Sequence, residues 1–158
     1  KGSQAVIWCY VGLSAGDLLT GVLSQMFRSR RRVILGSLFF SAAISAIYLY
    51  TFGLSDTTFY LICFLLGTST GYWGLFVTVA SESFGTNIRS TVTTTVPNFV
   101  RGSTIPITLS FAFLQESMGW SMSHSAALVG LVCFAIAFWA SWGIQETFAK
   151  DLDYLEAP

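Results

Sequence analysis

The chain has 158 residues with eight Lys and Arg against eight Asp and Glu, 53% hydrophobic and only 10% charged, and a mean hydropathy of +0.64. A soluble domain is about 25% charged, so there is too little polar surface here to coat a globule in water, and a lipid-facing exterior removes that need. Zero net charge with clustered basic residues argues against a nucleic-acid partner.

A membrane helix needs about 20 mostly apolar residues. Five segments meet that length, at about 4–27, 33–52, 57–80, 90–114 and 125–142, with a polar tail over 143–158. A soluble helical core would need polar faces that these segments lack, so the expected fold is all-α, a polytopic membrane helix bundle. The first segment carries one charge, Asp17, among the small residues Gly12, Ser14, Ala15, Gly16 and Gly21. Gly12 and Gly16 share a helix face, a spacing that lets another backbone approach closely. The second is apolar nearly throughout, with Tyr48 and Tyr50 at its far end. The third has a run of small and hydroxyl residues from Gly67 to Gly74, which implies close packing or a lined cavity, because lipid offers polar groups no partners. Thr86 or Asn87 can cap the fourth. That helix contains Thr91, Thr93, Thr94 and Thr95, then Pro97, Arg101 and Pro106, and its prolines are expected to bend it and free carbonyls. The fifth is plain and apolar, with Trp139 and Trp142 near its end.

Orientation follows from Arg28, Arg30, Arg31 and Arg32, between the first two segments. With five spans, these arginines, Arg89 and Lys150 fall on one side, and Lys1 alone on the other. Basic loops stay in the cytoplasm. The chain is therefore expected in the plasma (inner) membrane, N-terminus outside and C-terminus cytoplasmic. It starts at Lys1 with no signal peptide, as a chain does that begins inside a longer protein or has been trimmed.

Charges inside the bilayer are expensive and are candidate functional groups by default. Asp17 lies about 15 Å from the cytoplasmic end of its helix. It reads as a proton- or cation-coupling carboxylate, or as a structural ion pair or a group near the inner mouth. Arg101 stays protonated and its donor fork suits carboxylate or phosphate. It can meet an anionic substrate, pair internally (Asp17 is one choice), or contact carbonyls freed near Pro97. The arginines at 28, 30, 31 and 32, with Glu82 and Arg89, can form a cytoplasmic gate or serve as plain topology markers. Cys9, Cys63 and Cys133 lack metal or disulfide spacing and read as small packing residues. His124, in a loop, reads as solvated, with a proton relay as the alternative. No catalytic constellation, metal-ligand spacing or phosphate-cradling loop is present, so neither an enzyme nor a cofactor is expected.

Three stretches carry a resemblance. Gly21-x-x-x-Gln25-x-x-x-Ser29-Arg-Arg31 is similar to a loop that usually reads Gly-x-x-x-Asp-Arg-x-Gly-Arg-Arg, with Gln25 in place of Asp and Ser29 in place of Gly. Glu82-x-Phe84-x-Thr86-x-x-Arg89 is similar to Glu-x-Phe-Pro-Thr-x-x-Arg, and Glu146-Thr-Phe-Ala-Lys150-x-Leu152 to Glu-Thr-x-Gly-Lys-x-Leu. In this order and with this number of spans between them, they resemble the second half of the major facilitator superfamily of secondary transporters. The resemblance implies helices eight to twelve of a twelve-helix fold, the C-terminal half in part, and a missing N-terminal half of the same protein as partner. It implies alternating access around a central site near the membrane midplane. The expected function is transport of a small organic solute with proton coupling, and Arg101 points to an anionic one. The family's tenth helix lines the cavity. Ser69, Thr70, Tyr72 and Trp73 match that position as substrate contacts, with packing through Gly67, Gly71 and Gly74 as the other reading, and Asn98 and Thr95 are weaker candidates. The alternative function is a non-transporting membrane scaffold or sensor on the same fold.

Overall fold

A computed structural model of the chain describes residues 2–51, 53–151 and 153. Lys1, Phe52 at the end of the second expected span, Leu152 of the third motif and the tail from 154 onward lie outside the described residues. Among the described residues the secondary structure is all helical: α1 (Gly2–Met26), α2 (Arg30–Tyr50), α3 (Asp56–Thr70), α4 (Trp73–Glu82), α5 (Arg89–Glu116) and α6 (Met122–Gly143). Three of these helices start on a serine. Ser29, Ser55 and Ser121 each accept the N–H three residues on, from Arg32, Thr58 and His124, which satisfies one of the orphan donors of a first turn. α5 starts instead after Ile88, which makes no side-chain cap bond, so neither Thr86 nor Asn87 holds the cap position.

Among the described residues, four helices are long and apolar enough to cross a membrane: α1, α2, α6, and the stretch Asp56–Glu82 that contains α3 and α4. They mark a polytopic membrane protein. The fourth expected span, 90–114, lies within α5 and is not among these four. α5 has 28 residues, ample length, but nine serines and threonines with Asn98 and Arg101 leave it too polar to count with the others. It also runs without interruption through Pro97 and Pro106. The expected third span, 57–80, lies within the candidate span Asp56–Glu82, which carries a break at Gly71 and Tyr72 between α3 and α4.

The tightest packing joins α1 to α3, which run parallel. Gly12 and Gly16 face Gly67 and Gly71 so closely that an added Cβ on Gly12 would overlap the Phe64 carbonyl oxygen. One on Gly16 would overlap that of Thr68, and one on Gly67 that of Cys9. Two glycine pairs at four-residue spacing allow this approach, and dispersion then binds the backbones where lipid provides no hydrophobic drive. The buried apolar core lies elsewhere, where α2 and α4 bring together Val33, Ile34, Leu38, Leu75 and Val79, with Phe138 of α6 and Ile144 against them. α2 and α6 are antiparallel, with the Phe39 and Phe138 rings 4.5 Å apart. Large apolar residues such as Leu18, Phe39, Leu131 and Trp139 point outward, as an exterior facing acyl chains requires.

Candidate functional site

One end of the bundle gathers the α1–α2 turn, the end of α4 and the segment after α6. The turn is tight. α1 ends at Met26, Arg28 takes a left-handed φ of 48°, and Ser29 caps α2. Arg30, in the first turn of α2, is mostly enclosed. Its Nη2 donates to Glu82 Oε1 at 2.9 Å, its Nε to Glu82 Oε2 at 3.2 Å, and its Nη1 to Ser24 Oγ at 2.8 Å. Its guanidinium lies over the Phe148 ring, 5.4 Å from the centroid. The Thr147 hydroxyl donates to Glu82 Oε2 at 2.7 Å. The Arg30 and Glu82 side chains are only 14% and 11% exposed, so the pair is desolvated and depends on these extra bonds.

Glu146 closes the node from the other side. Ser29 Oγ donates to its Oε2. The N–H groups of Arg30 (2.8 Å), Thr147 (3.1 Å) and Phe148 (3.1 Å) donate to Oε1. Partial burial by itself would raise the pKa of this carboxyl. The hydrogen bonds from Ser29 and from backbone N–H groups outweigh it and hold the group below its ordinary value of 4.5. A lowered carboxylate pKa stabilises the fold fully above the unfolded-chain value, and that contribution is lost as pH falls through the lower folded value. Thermal unfolding in detergent should therefore show a stability loss beginning below about pH 4.5, and Glu146→Gln should flatten that acid limb.

The other gate candidates divide. Arg31 Nη2 donates to the Trp142 carbonyl at 2.7 Å. Arg89 Nε donates to the carbonyls of Ser81 (2.9 Å) and Phe84 (3.2 Å), which fixes the turn after α4. Arg28 and Arg32 are exposed.

Asp17 sits at the α3–α4 break. Its Oδ1 accepts the Gly74 N–H at 3.0 Å, in the first turn of α4, while Thr20 Oγ1 donates to the Gly71 carbonyl at 2.7 Å. A carboxylate at a helix N-terminus is favoured by both the free N–H and the helix dipole. Arg101 does not meet it. Arg101 is exposed on α5, where its Nη1 donates to Asn98 Oδ1 at 3.2 Å. Asn98 lines an open depression of about 520 Å³ with Thr95, Phe99, Gly102 and Ser103. Ser69 is buried and shares a hydrogen bond with Ser41 Oγ at 3.0 Å, so it locks α2 to α3. Thr70 Oγ1 donates to the Gly67 carbonyl at 2.9 Å. Tyr72 is half-buried against the core, and Trp73 is partly exposed beside Phe76.

Sequence reasoning did not single out Ser24, Thr20, Ser29, Glu146, Thr147 or Phe148 as site residues. Each is an ordinary polar or aromatic residue at a helix end. The one signal for Ser29, Glu146, Thr147 and Phe148 was their place in a motif. No family model matches the chain, and neither a curated protein nor a solved structure matches it.

Proposed function

We propose that this chain is part of a secondary transporter of the major facilitator type, in which α1 to α6 correspond to helices eight to twelve. It would move small organic solutes by alternating access, with proton coupling, around a site shared with an N-terminal half outside this sequence. The observation that carries this reading is a pair of backbone angles. Arg28 and Ala149 are the non-glycine residues with positive φ among the described residues, at 48° and 60°. Counting from Gly21 without a gap, Arg28 stands where the family's loop has its second glycine, which corrects the register that set Ser29 there. Ala149 stands at the glycine of Glu-Thr-x-Gly-Lys. In both places the backbone keeps a conformation that suits glycine, although the side chain has changed. In support, the three stretches that carry the resemblance meet at one end of the bundle, all three directly through Arg30, Glu82, Glu146 and Thr147.

In this reading the Arg30–Glu82 node is the cytoplasmic gate. Its bonds join helix ends in one conformation and must part in the other. Arg101, Asn98, Thr70, Tyr72 and Trp73 are the candidate substrate contacts, and Asp17 is a helix-break acceptor that can also carry the coupling proton. The orientation puts the node in the cytoplasm. The reading is tested by transport into proteoliposomes by the complete gene product, across a panel of organic solutes, with and without a pH gradient. Gradient-dependent uptake is expected, with Glu82→Gln shifting the inward–outward balance. Absence of transport for every solute, with the node variants silent, would favour the scaffold reading.

The backbone angles make a separate prediction. A residue with a Cβ in the left-handed region is strained by about 1–2 kcal/mol, and glycine gives part of that gain back as chain entropy. Arg28→Gly and Ala149→Gly should each stabilise the protein by about 0.5–1 kcal/mol, read as raised melting temperatures in detergent. Loss of stability in both would count against a glycine-type backbone there.

A further inference from the structure

One feature plays no part in the proposed transport: the meeting of the α6 C-terminus with the start of α2. An open cavity of about 560 Å³ lies there, lined by Trp139, Ala140, Trp142, Gly143 and Ile144. The two tryptophans are 80% and 76% exposed, which only an apolar surrounding makes favourable for both rings. Arg31 Nη2 donates to the carbonyl of Trp142, one of the residues that line the cavity. That bond uses one of five guanidinium N–H groups and offsets the partial negative charge of the α6 C-terminus. Arg32, the next residue, is exposed. Arg30 is paired with Glu82, and Glu146, whose oxygens accept from Ser29 and backbone N–H groups, offsets one of the two charges of Arg31 and Arg32. The charge left over from Arg31, Arg32 and Glu146 is positive, beside tryptophans of the kind that favour a membrane interface.

We propose that this is a binding site for an anionic phospholipid of the bilayer. Its phosphodiester takes the guanidinium forks of Arg31 and Arg32, and its acyl chain lies in the Trp139–Trp142 cavity. Arginine forks match phosphate oxygens, and the cavity wall is apolar as a chain requires. The inference rests on the membrane reading of α2 and α6 and is independent of transport.

The test is native mass spectrometry of the full chain in mild detergent with equimolar phosphatidylglycerol and phosphatidylcholine. Phosphatidylglycerol adducts are expected to dominate, and Arg31→Gln and Arg32→Gln should each cut that preference about fivefold, while Arg101→Gln leaves it unchanged. Equal retention of the two lipids, or indifference to the Arg31 and Arg32 variants, would overturn the proposal. So would complete loss of the lipid adduct to excess inorganic phosphate, which would mark a site for a free anion. A second measurement needs no arginine variant. Brominated phosphatidylglycerol should quench the tryptophan fluorescence of the unaltered chain more than brominated phosphatidylcholine, and the difference should vanish in the Trp139→Phe, Trp142→Phe double variant. Equal quenching by the two lipids would overturn it as well.

Discussion

Replacing Gly67 with alanine should push α1 away from α3 and destabilise the protein by about 3 kcal/mol, at the upper end of what overpacking costs. The reason is where the new methyl would go. The nearest atom is the Cys9 carbonyl oxygen, with the Leu13 amide behind it. Both belong to backbone, so no side-chain rotamer can make room. Relief requires the helices to part, and parting them loosens Gly12, Gly16 and Gly71 in the same interface. It also stretches the bonds that Asp17 and Thr20 make to the break. Gly36→Ala is the control. A Cβ at Gly36 meets nothing within 4 Å, and alanine favours the helix, so no loss is expected. Melting temperatures of both variants in the same detergent check the pair. Equal behaviour would mean that the glycine interface does not bear the packing ascribed to it.

Glu82→Ala should cost about 3 kcal/mol, the low end for breaking an enclosed ion pair, since the residual exposure of both partners lets water reach them. The loss comes mainly from what remains. Arg30 keeps its charge, held by Ser24 and facing a cavity where two carboxylate oxygens were. Thr147 loses its acceptor too. The double variant Arg30→Ala, Glu82→Ala removes both charges and should lose less than the sum of the single changes, with the difference measuring the coupling. Additive losses would show that the two side chains act separately. Arg30→Lys should resemble the loss of the pair, because an ammonium cannot span both Glu82 oxygens and Ser24 together.

The helices were legible from the chain because apolar runs and their polar interruptions are local properties. The arginine cluster marked one end of the bundle, and Glu82 was named with it for the same reason. Gly12 and Gly16 announced a close approach through their spacing, and the counterpart pair Gly67 and Gly71 stood in the run already noted as crowded. What stayed hidden depended on partners far along the chain. Asp17 is an isolated acid in sequence, and its acceptor role exists only because α3 breaks at Gly71, 54 positions later. Ser69 reads as a cavity hydroxyl until Ser41 takes its hydrogen bond. Arg101 and Asp17, opposite charges in apolar segments, invited pairing, yet α5 packs on α4 and α6 and keeps Arg101 on an outer face. Ser24 and Thr147 gave no signal, since a hydroxyl becomes part of a charged node only when tertiary structure encloses it.

The break at Gly71 has a mechanical consequence. α3 is bolted to α1 along its glycine face, whereas α4 leaves the break as a separate rod of ten residues, about 15 Å long. Glu82 stands at the tip of that rod. A swing of about 10° at the joint carries the tip about 2.6 Å, more than the tolerance of a hydrogen bond to Arg30. Asp17 and Thr20 clasp the joint from α1, so a small change of grip at the middle of the bundle is magnified into the making or breaking of contacts at its end.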